Sequence, residues 1–251
     1  MLFPTELLSR QKRSEQAPDR FRHKRIEPYL LVKLEDRAAR SSWIRPWCLS
    51  STRRILDIVG ASLLLVLCSP IFLVAAIAIK LDSPGPVFFR QMRTGLAGQR
   101  FRVYKFRTMR KDAEQMKQAL RQHNHHSQSS PDFKMKNDPR VTPVGRILRK
   151  LSVDELPNLI NVVRGEMSIV GPRPTSFDID AYADWHLGRL AVPPGITGLA
   201  QISGRGDVDF DDRVGFDCRY IREQSIFLDL KILLLTPFRV LSGVVTGRGV
   251  Y

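Results

Sequence analysis

The spacing of apolar and polar positions marks one stretch of the chain as fit for lipid. From Ile55 to Ile79, Asp57 is the sole residue of a charged type. As one straight helix at a rise of ~1.5 Å per residue, the run would be about 37 Å long, enough for a hydrocarbon core of ~30 Å. Pro70 interrupts it, because the residue lacks a backbone N–H and its ring strikes the carbonyl of Val66. Ser69 can serve the freed backbone groups, as a break within lipid requires. The pattern predicts helix-break-helix, with Ser69 and Pro70 at the membrane break. Both flanks are basic: Arg37, Arg40, Arg45, Arg53 and Arg54 precede the run, and Lys80, Arg90 and Arg93 follow it. Positive flanks stay on one side of a membrane, so a re-entrant hairpin is expected over a single span. Asp57, one turn after Arg54, is expected to pair with it near the headgroups.

A second apolar stretch, Ile226 to Val245, contains Asp229, Lys231, Arg239 and Pro237 and is not expected to span. Leu230, Leu233, Leu234, Phe238 and Leu241 recur at helical spacing, which predicts an amphipathic helix on a membrane or beneath the hairpin. Between the two stretches, the pattern is mixed. Val87 to Arg90 and Phe101 to Met109 read as strands joined by a turn at Gly95 to Gln99. Thr142-Pro143 reads as an N-cap and first helical residue, followed by a stripe of Val144, Ile147, Leu148 and Leu151. Leu156, Leu159, Ile160 and Val163 continue helical spacing to a stop at Gly165. The fold class expected is α+β and mainly helical. Residues 1–42 form a basic arm, expected to be flexible and without a secretory signal. Residues 43–81 hold an interfacial segment and the hairpin, and residues 82–251 form a small α/β domain with amphipathic interfacial helices. Trp43 and Trp47 suit either a membrane interface or an ordinary core.

Charge narrows the partners. A net charge of +15 points to an anionic one: nucleic acid, acidic lipid or a phosphorylated substrate. Cys48, Cys68 and Cys218 are odd in number and far apart, which fits free thiols in a reducing compartment. Asp112 to Gln122 reads as a surface helix. His123, His125 and His126 follow in a polar stretch without the spacing of a metal site, so a mobile loop is expected.

The candidate chemistry lies between Pro143 and Pro174, where the adjacent acids Asp154-Glu155 follow Arg149 and precede a Gly171-Pro172-Arg173-Pro174 turn. Two readings compete. Ser152-Val153-Asp154-Glu155 is a capping-box pattern, in which Glu155 bonds the Ser152 amide. Alternatively, a carboxylate beside free N–H groups and arginines is equipped for phosphoryl chemistry, one acid attacking phosphorus and the other holding a metal. Lys105 and Arg107, spaced i,i+2 on one strand, suit phosphate or a solvated basic face. Arg173 is an active-site cation or part of a rigid connector. Pro194 to Gly198 and Arg205 suit a phosphate cradle or a tight turn, and Asp229 suits a structural ion pair.

From about Arg53 to the C-terminus the chain resembles the bacterial sugar transferases, the monotopic polyprenol-phosphate phosphoglycosyl transferases. The likeness rests on Lys105 to Met109 (KFRTM), the Asp154-Glu155 segment, Gly171 to Pro174 (GPRP), the PGITG and GR elements and Asp229-Leu230-Lys231. It implies a short, catalytic-core form of the exopolysaccharide-priming type, with a re-entrant helix broken at Ser69-Pro70. It further implies Asp154 as nucleophile, Glu155 as the Mg²⁺ ligand, and Lys105, Arg107, Arg149, Arg173 and Arg205 at the substrate. The implied reaction moves a sugar 1-phosphate, with galactose or glucose favoured, from a UDP-sugar to undecaprenyl phosphate. UMP leaves, at the cytoplasmic face of a bacterial inner membrane. The expected partners are these two substrates and membrane lipids, with no nucleic acid and a homo-oligomer left open. The alternative is a non-enzymatic, membrane-anchored basic scaffold, which gives the acid pair no role.

Overall fold

The computed structural model of the chain describes residues 46–113, 115–116, 138–203 and 209–246. The arm of residues 1–42, Trp43, the histidine-bearing stretch and Arg205 lie outside the described residues.

Helix α1 (Ser51–Leu67) starts where Ser50 Oγ accepts the Arg53 N–H at 3.2 Å. Helix α2 (Ser69–Asp82) follows after a bend of 58° at Cys68. Pro70 thus sits in the first turn of α2, where the missing N–H has no helical partner to lose. The break therefore falls just ahead of the expected pair. Among the described residues no single helix is long and apolar enough to cross a membrane, whereas the bent pair is so in combination. Val59, Leu63, Val66, Leu67, Leu73, Val74 and Leu81 all stand exposed along it. Asp57 does not pair with Arg54. Its carboxylate accepts from Ser168 Oγ at 2.8 Å and the Ile169 N–H at 3.0 Å. Arg54 instead donates to the carbonyls of Val162 and Val163. Partners over a hundred residues away satisfy both groups better than an exposed i,i+3 pair.

Strands β1 (Phe88–Thr94) and β2 (Arg100–Phe106) form an antiparallel hairpin in the register Phe88 to Phe106 through Thr94 to Arg100. Helix α3 (Pro143–Lys150) is capped as expected, Thr142 Oγ1 accepting from the Gly145 N–H at 3.0 Å. A Cβ on Gly145 would lie 2.1 Å from the Thr108 carbonyl oxygen, so glycine lets α3 rest directly on the chain leaving β2. Of its expected buried stripe, Leu148 is buried and Val144 half-buried, but Ile147 and Leu151 are exposed. Leu148 packs with Ala75, Ile79 and Phe106, and Val144 lies against that cluster, whereas Ile147 and Leu151 have no part in it.

Helix α4 (Asn158–Arg164) ends at Gly165, whose φ of 88° is the expected left-handed stop. Fully buried Asn161 joins α4 to β2, accepting from the Tyr104 N–H at 3.0 Å and donating to the Arg102 carbonyl at 2.7 Å. Strand β3 (Ser168–Val170) pairs in parallel with β4 (Gly195–Thr197). The Pro194–Gly198 element is therefore built into a strand, its glycine fixed by close approach: a Cβ on Gly195 would lie 2.1 Å from Gly171 N. Helices α5 (Leu199–Ser203), α6 (Phe210–Glu223) and α7 (Ile226–Thr246) complete the described chain.

One buried network joins these parts. Arg53, 4% exposed, donates to the Val170 carbonyl at 2.5 Å, to Tyr220 Oη at 2.9 Å and to Ser168 Oγ at 3.1 Å. Its Nε lies 3.3 Å from Asp229, which also accepts from Tyr220 Oη at 2.7 Å and Trp47 Nε1 at 3.0 Å. Asp229 is a structural acid, and Trp47 is committed to it. The face of α7 bearing Leu230, Leu233, Leu234, Phe238 and Leu241 is exposed, while Ile232 is fully buried. Among the described residues the architecture is mostly helical with two small two-stranded sheets.

Candidate active site

The acid pair sits between α3 and α4 in a short 3₁₀ turn, Val153–Glu155. No capping box forms. Ser152 has φ 57°, its N–H donates to the Arg149 carbonyl at 3.0 Å, and its side chain caps nothing. A left-handed serine costs of order 1–2 kcal/mol, accepted here because the chain must reverse between two helices. The α-helix begins only after Pro157.

Glu155 is gripped from two sides. Lys105 Nζ lies 2.8 Å from Oε1, and Arg173 binds both oxygens, with Nη1 2.8 Å from Oε2 and Nη2 on Oε1. The Glu155 and Lys105 side chains are each 18% exposed, and the Arg173 side chain is 43% exposed. Asp154 differs: among the described residues its carboxylate takes part in no hydrogen bond or ion pair, although Lys105, Arg149 and Arg173 act on it through space. Arg149 is aimed by Nε donating to Thr108 Oγ1 at 2.9 Å. Thr108, the fourth residue of the KFRTM run, was not singled out by sequence reasoning; it would have been found by asking what orients Arg149.

Arg107 is not brought to the pair. Strand β2 ends at Phe106, and the Arg107 guanidinium turns to the end of α2. There it donates to the carbonyls of Pro84 at 2.8 Å and Ser83 at 2.6 Å and to Ser83 Oγ at 3.1 Å. These carbonyls lie just past the end of α2, and Nη2 also reaches the last-turn carbonyl of Ile79 at 3.4 Å, a placement of cations that the helix dipole favours. Ser69 and Pro70 lie at the helix break, and Arg205 lies outside the described residues. A cavity of about 560 Å³, lined by Ser83, Arg110, Lys111 and Thr142, opens at the start of α3, whereas the acids follow its end.

Electrostatics separate the two acids. Burial and the neighbouring Glu155 charge raise the Asp154 carboxyl to about 6, against the pull of Lys105, Arg149 and Arg173. Burial would raise Glu155 too, but Arg173 and Lys105 outweigh it and hold Glu155 well below the usual carboxylate range. Burial lowers Lys105, and Glu155 opposes that shift. Among the described residues, Lys105, Arg149 and Arg173 set three positive charges against the two carboxylates, a surplus that favours an anion. A carboxylate offers about four lone-pair positions. The contacts to Glu155 leave one on Oε2, and among the described residues nothing bonds the Asp154 oxygens. That donor set is compatible with Mg²⁺ bound chiefly through substrate phosphates and water, the ion's usual mode, in which Glu155 Oε2 would be the protein's ligand. It does not fit a protein cage, as no group of three acidic, histidine or cysteine ligands occurs among the described residues.

The family model for bacterial sugar transferases matches residues 49–243. The chain belongs to the bacterial sugar transferase family. Membership makes it an enzyme, a sugar transferase in class. It is 47% identical to the galactosyl transferase CpsE of Streptococcus agalactiae over 193 residues, covering 76% of this chain but 42% of that one. It is 42% identical to the exopolysaccharide production protein ExoY of Rhizobium meliloti over 202 residues, 79% of this chain and 88% of that one. A UDP-glucose:undecaprenyl-phosphate glucose-1-phosphate transferase of Caulobacter vibrioides is 45% identical over 195 residues, 73% of this chain and 67% of its own length.

The carboxyl at about 6 has a direct consequence. A raised value favours the neutral acid, so the ionised form is present above it and lost as pH falls through it. Turnover that draws on ionised Asp154 is expected to plateau near neutrality and fall about tenfold per unit below pH 6 in a kcat/KM profile. A profile flat to pH 5 contradicts that environment.

Proposed function

We propose that the chain transfers a hexose 1-phosphate, glucose or galactose, from a UDP-sugar to undecaprenyl phosphate and so primes an exopolysaccharide or related glycan. The observation that carries this reading is the division of labour in the acid pair: Glu155 is immobilised by Lys105 and Arg173, while among the described residues nothing engages Asp154 beside the same cations. An ion pair built only for stability would engage both acids. Relatives named for transfer of glucose 1-phosphate or of galactose phosphate supply the substrate class.

In the mechanism this arrangement supports, an Asp154 carboxylate oxygen attacks the β-phosphorus of the donor. The phosphoanhydride bond breaks, and UMP leaves with the bonding pair. The phospho-sugar is then joined to Asp154 as an acyl phosphate. A phosphate oxygen of the lipid attacks the same phosphorus, which frees the Asp154 carboxylate and yields the sugar diphospholipid. Two displacements replace one crowded encounter between two anions. Lys105, Arg149 and Arg173 counter charge on the equatorial oxygens. Bound Mg²⁺ supplies further neutralisation of the diphosphate.

The bent, apolar α1–α2 pair supports a re-entrant hairpin rather than a span, at the cytoplasmic face of a bacterial inner membrane. Arg107 on the carbonyls that follow α2 and Arg54 on the last-turn carbonyls of α4 tie both ends of the pair to the same polar body. The exposed α7 face is suited to lie on that membrane.

UMP release in lipid nanodiscs tests the chemistry. With UDP-glucose or UDP-galactose the expected pattern is ping-pong, parallel double-reciprocal plots against undecaprenyl phosphate, with at least ~10³-fold loss in Asp154→Asn. Intersecting plots with an active Asp154→Asn enzyme would favour direct attack by the lipid. For topology, Thr52→Cys and Pro86→Cys are both expected to label from the cytoplasmic side in intact cells; labelling from opposite sides means a span.

A further inference from the structure

Arg173 is the most exposed of the three cations around the acid pair, and it stands on a turn that proline makes hard to anchor. Pro172 and Pro174 have no N–H, so the segment is held largely through its carbonyls. That of Pro172 accepts from the Gly195 N–H at 2.9 Å. On either side, the Gly171 N–H donates to Thr197 at 2.8 Å and the Thr94 N–H to Thr175 at 2.9 Å. The carbonyl of Arg173 itself accepts from Arg189 Nη2 at 2.8 Å.

Arg189 is 4% exposed and lies in the 3₁₀ segment Asp184–Ala191. Its partner is Asp217 of α6, 1% exposed, with Oδ2 2.9 Å from Nε and 2.7 Å from Nη2. The guanidinium also faces the Phe210 ring, 5.5 Å from its centroid, which fixes the plane of the fork. A buried ion pair is poor evidence of stabilisation, since apolar residues of like volume fill such a site as well or better. What apolar residues could not supply is the second Nη2 hydrogen, aimed at the backbone beneath an active-site arginine.

We propose that Arg189 and Asp217 are positioning residues for the transfer reaction. Asp217 orients the Arg189 fork, the fork holds the Arg173 carbonyl, and Arg173 thereby keeps its two-point grip on Glu155. The inference rests on the functional reading above, with Arg173 at the substrate phosphates. Neither residue touches the acid pair, and the chain is tied at three successive levels.

The test is a mutant cycle combined with a direct probe of Arg173. Arg189→Lys retains the charge but offers a compact point donor in place of the fork. In the wild-type background it is expected to lower kcat/KM for the UDP-hexose at least about tenfold, but less than about twofold on top of Arg173→Ala, because both changes remove one interaction. Equal losses in the two backgrounds would overturn the proposal. Asp217→Asn reads the same coupling where Arg189→Lys does not accumulate. Guanidinium resonances of ¹⁵N-arginine-labelled protein in nanodiscs give a readout independent of turnover. The Arg173 signal, assigned by its loss in Arg173→Ala, is expected to be protected in the wild type and exchange-broadened in Arg189→Lys. An unchanged Arg173 signal overturns the positioning role whatever the assay shows, whereas absence of UMP release by wild-type enzyme from either UDP-hexose counts against the functional reading alone.

Discussion

A guanidinium buried at the start of α1 is shared by β3, α6 and α7. Arg53 contacts β3 through Val170 and Ser168, α6 through Tyr220, and α7 through Asp229, one turn after the Ser50 cap. Such a charge is tolerable out of water only when its donors are met together, so these elements must assemble around it. Asp57, one turn further, adds its own bonds to Ser168 and Ile169. The mouth of the hairpin is therefore part of the protein core; farther along, Ala61, Ala75 and Ile79 also pack into the core while the other face stays exposed and apolar. The site follows from that anchor: β3 leads directly into the Gly171–Pro174 turn that carries Arg173.

The acids illustrate how identical chemistry diverges by environment. Neighbours in sequence, they share burial and the same three cations. Direct contact with Lys105 and Arg173 pushes Glu155 down, and the charge thus fixed on Glu155 helps push Asp154 up. Glu155 is in effect part of the scaffold. Among the described residues nothing bonds the Asp154 oxygens, and a value of about 6 leaves the group ionised near neutrality yet more basic than an ordinary carboxylate, as the proposed nucleophile requires. The 3₁₀ turn and the left-handed Ser152 are what present the two side chains differently.

Much of this was legible in the chain because its causes are local. The Thr142-Pro143 cap, the Gly165 stop and the break ahead of Pro70 each follow from the stereochemistry of one or two residues. The acid pair and the cations Lys105, Arg149 and Arg173 were legible as a set. Their arrangement was not, since Ser152 to Glu155 carries a capping-box spelling that only the backbone angle at Ser152 refutes. Arg107 was misplaced because i,i+2 spacing implies a common face only while a strand lasts, and β2 stops one residue short. Ile147 and Leu151 looked like core because helical spacing records an apolar face without saying what lies against it. Asp217 had a signal that went unused: an acid flanked on its helix face by Val214, Tyr220 and Ile221 is a buried charge in search of a partner. Arg189, 28 residues away in the chain, had none.

Peptide mass mapping of enzyme quenched after donor alone reads most directly whether Asp154 holds the phospho-sugar between half-reactions. Protein incubated with UDP-hexose and Mg²⁺, without lipid acceptor, is expected to yield an Asp154-containing peptide heavier by one hexose phosphate ester, and the adduct should vanish on adding undecaprenyl phosphate. An unmodified peptide from enzyme that is fully active with both substrates, or an adduct carried on Glu155, would contradict the assignment.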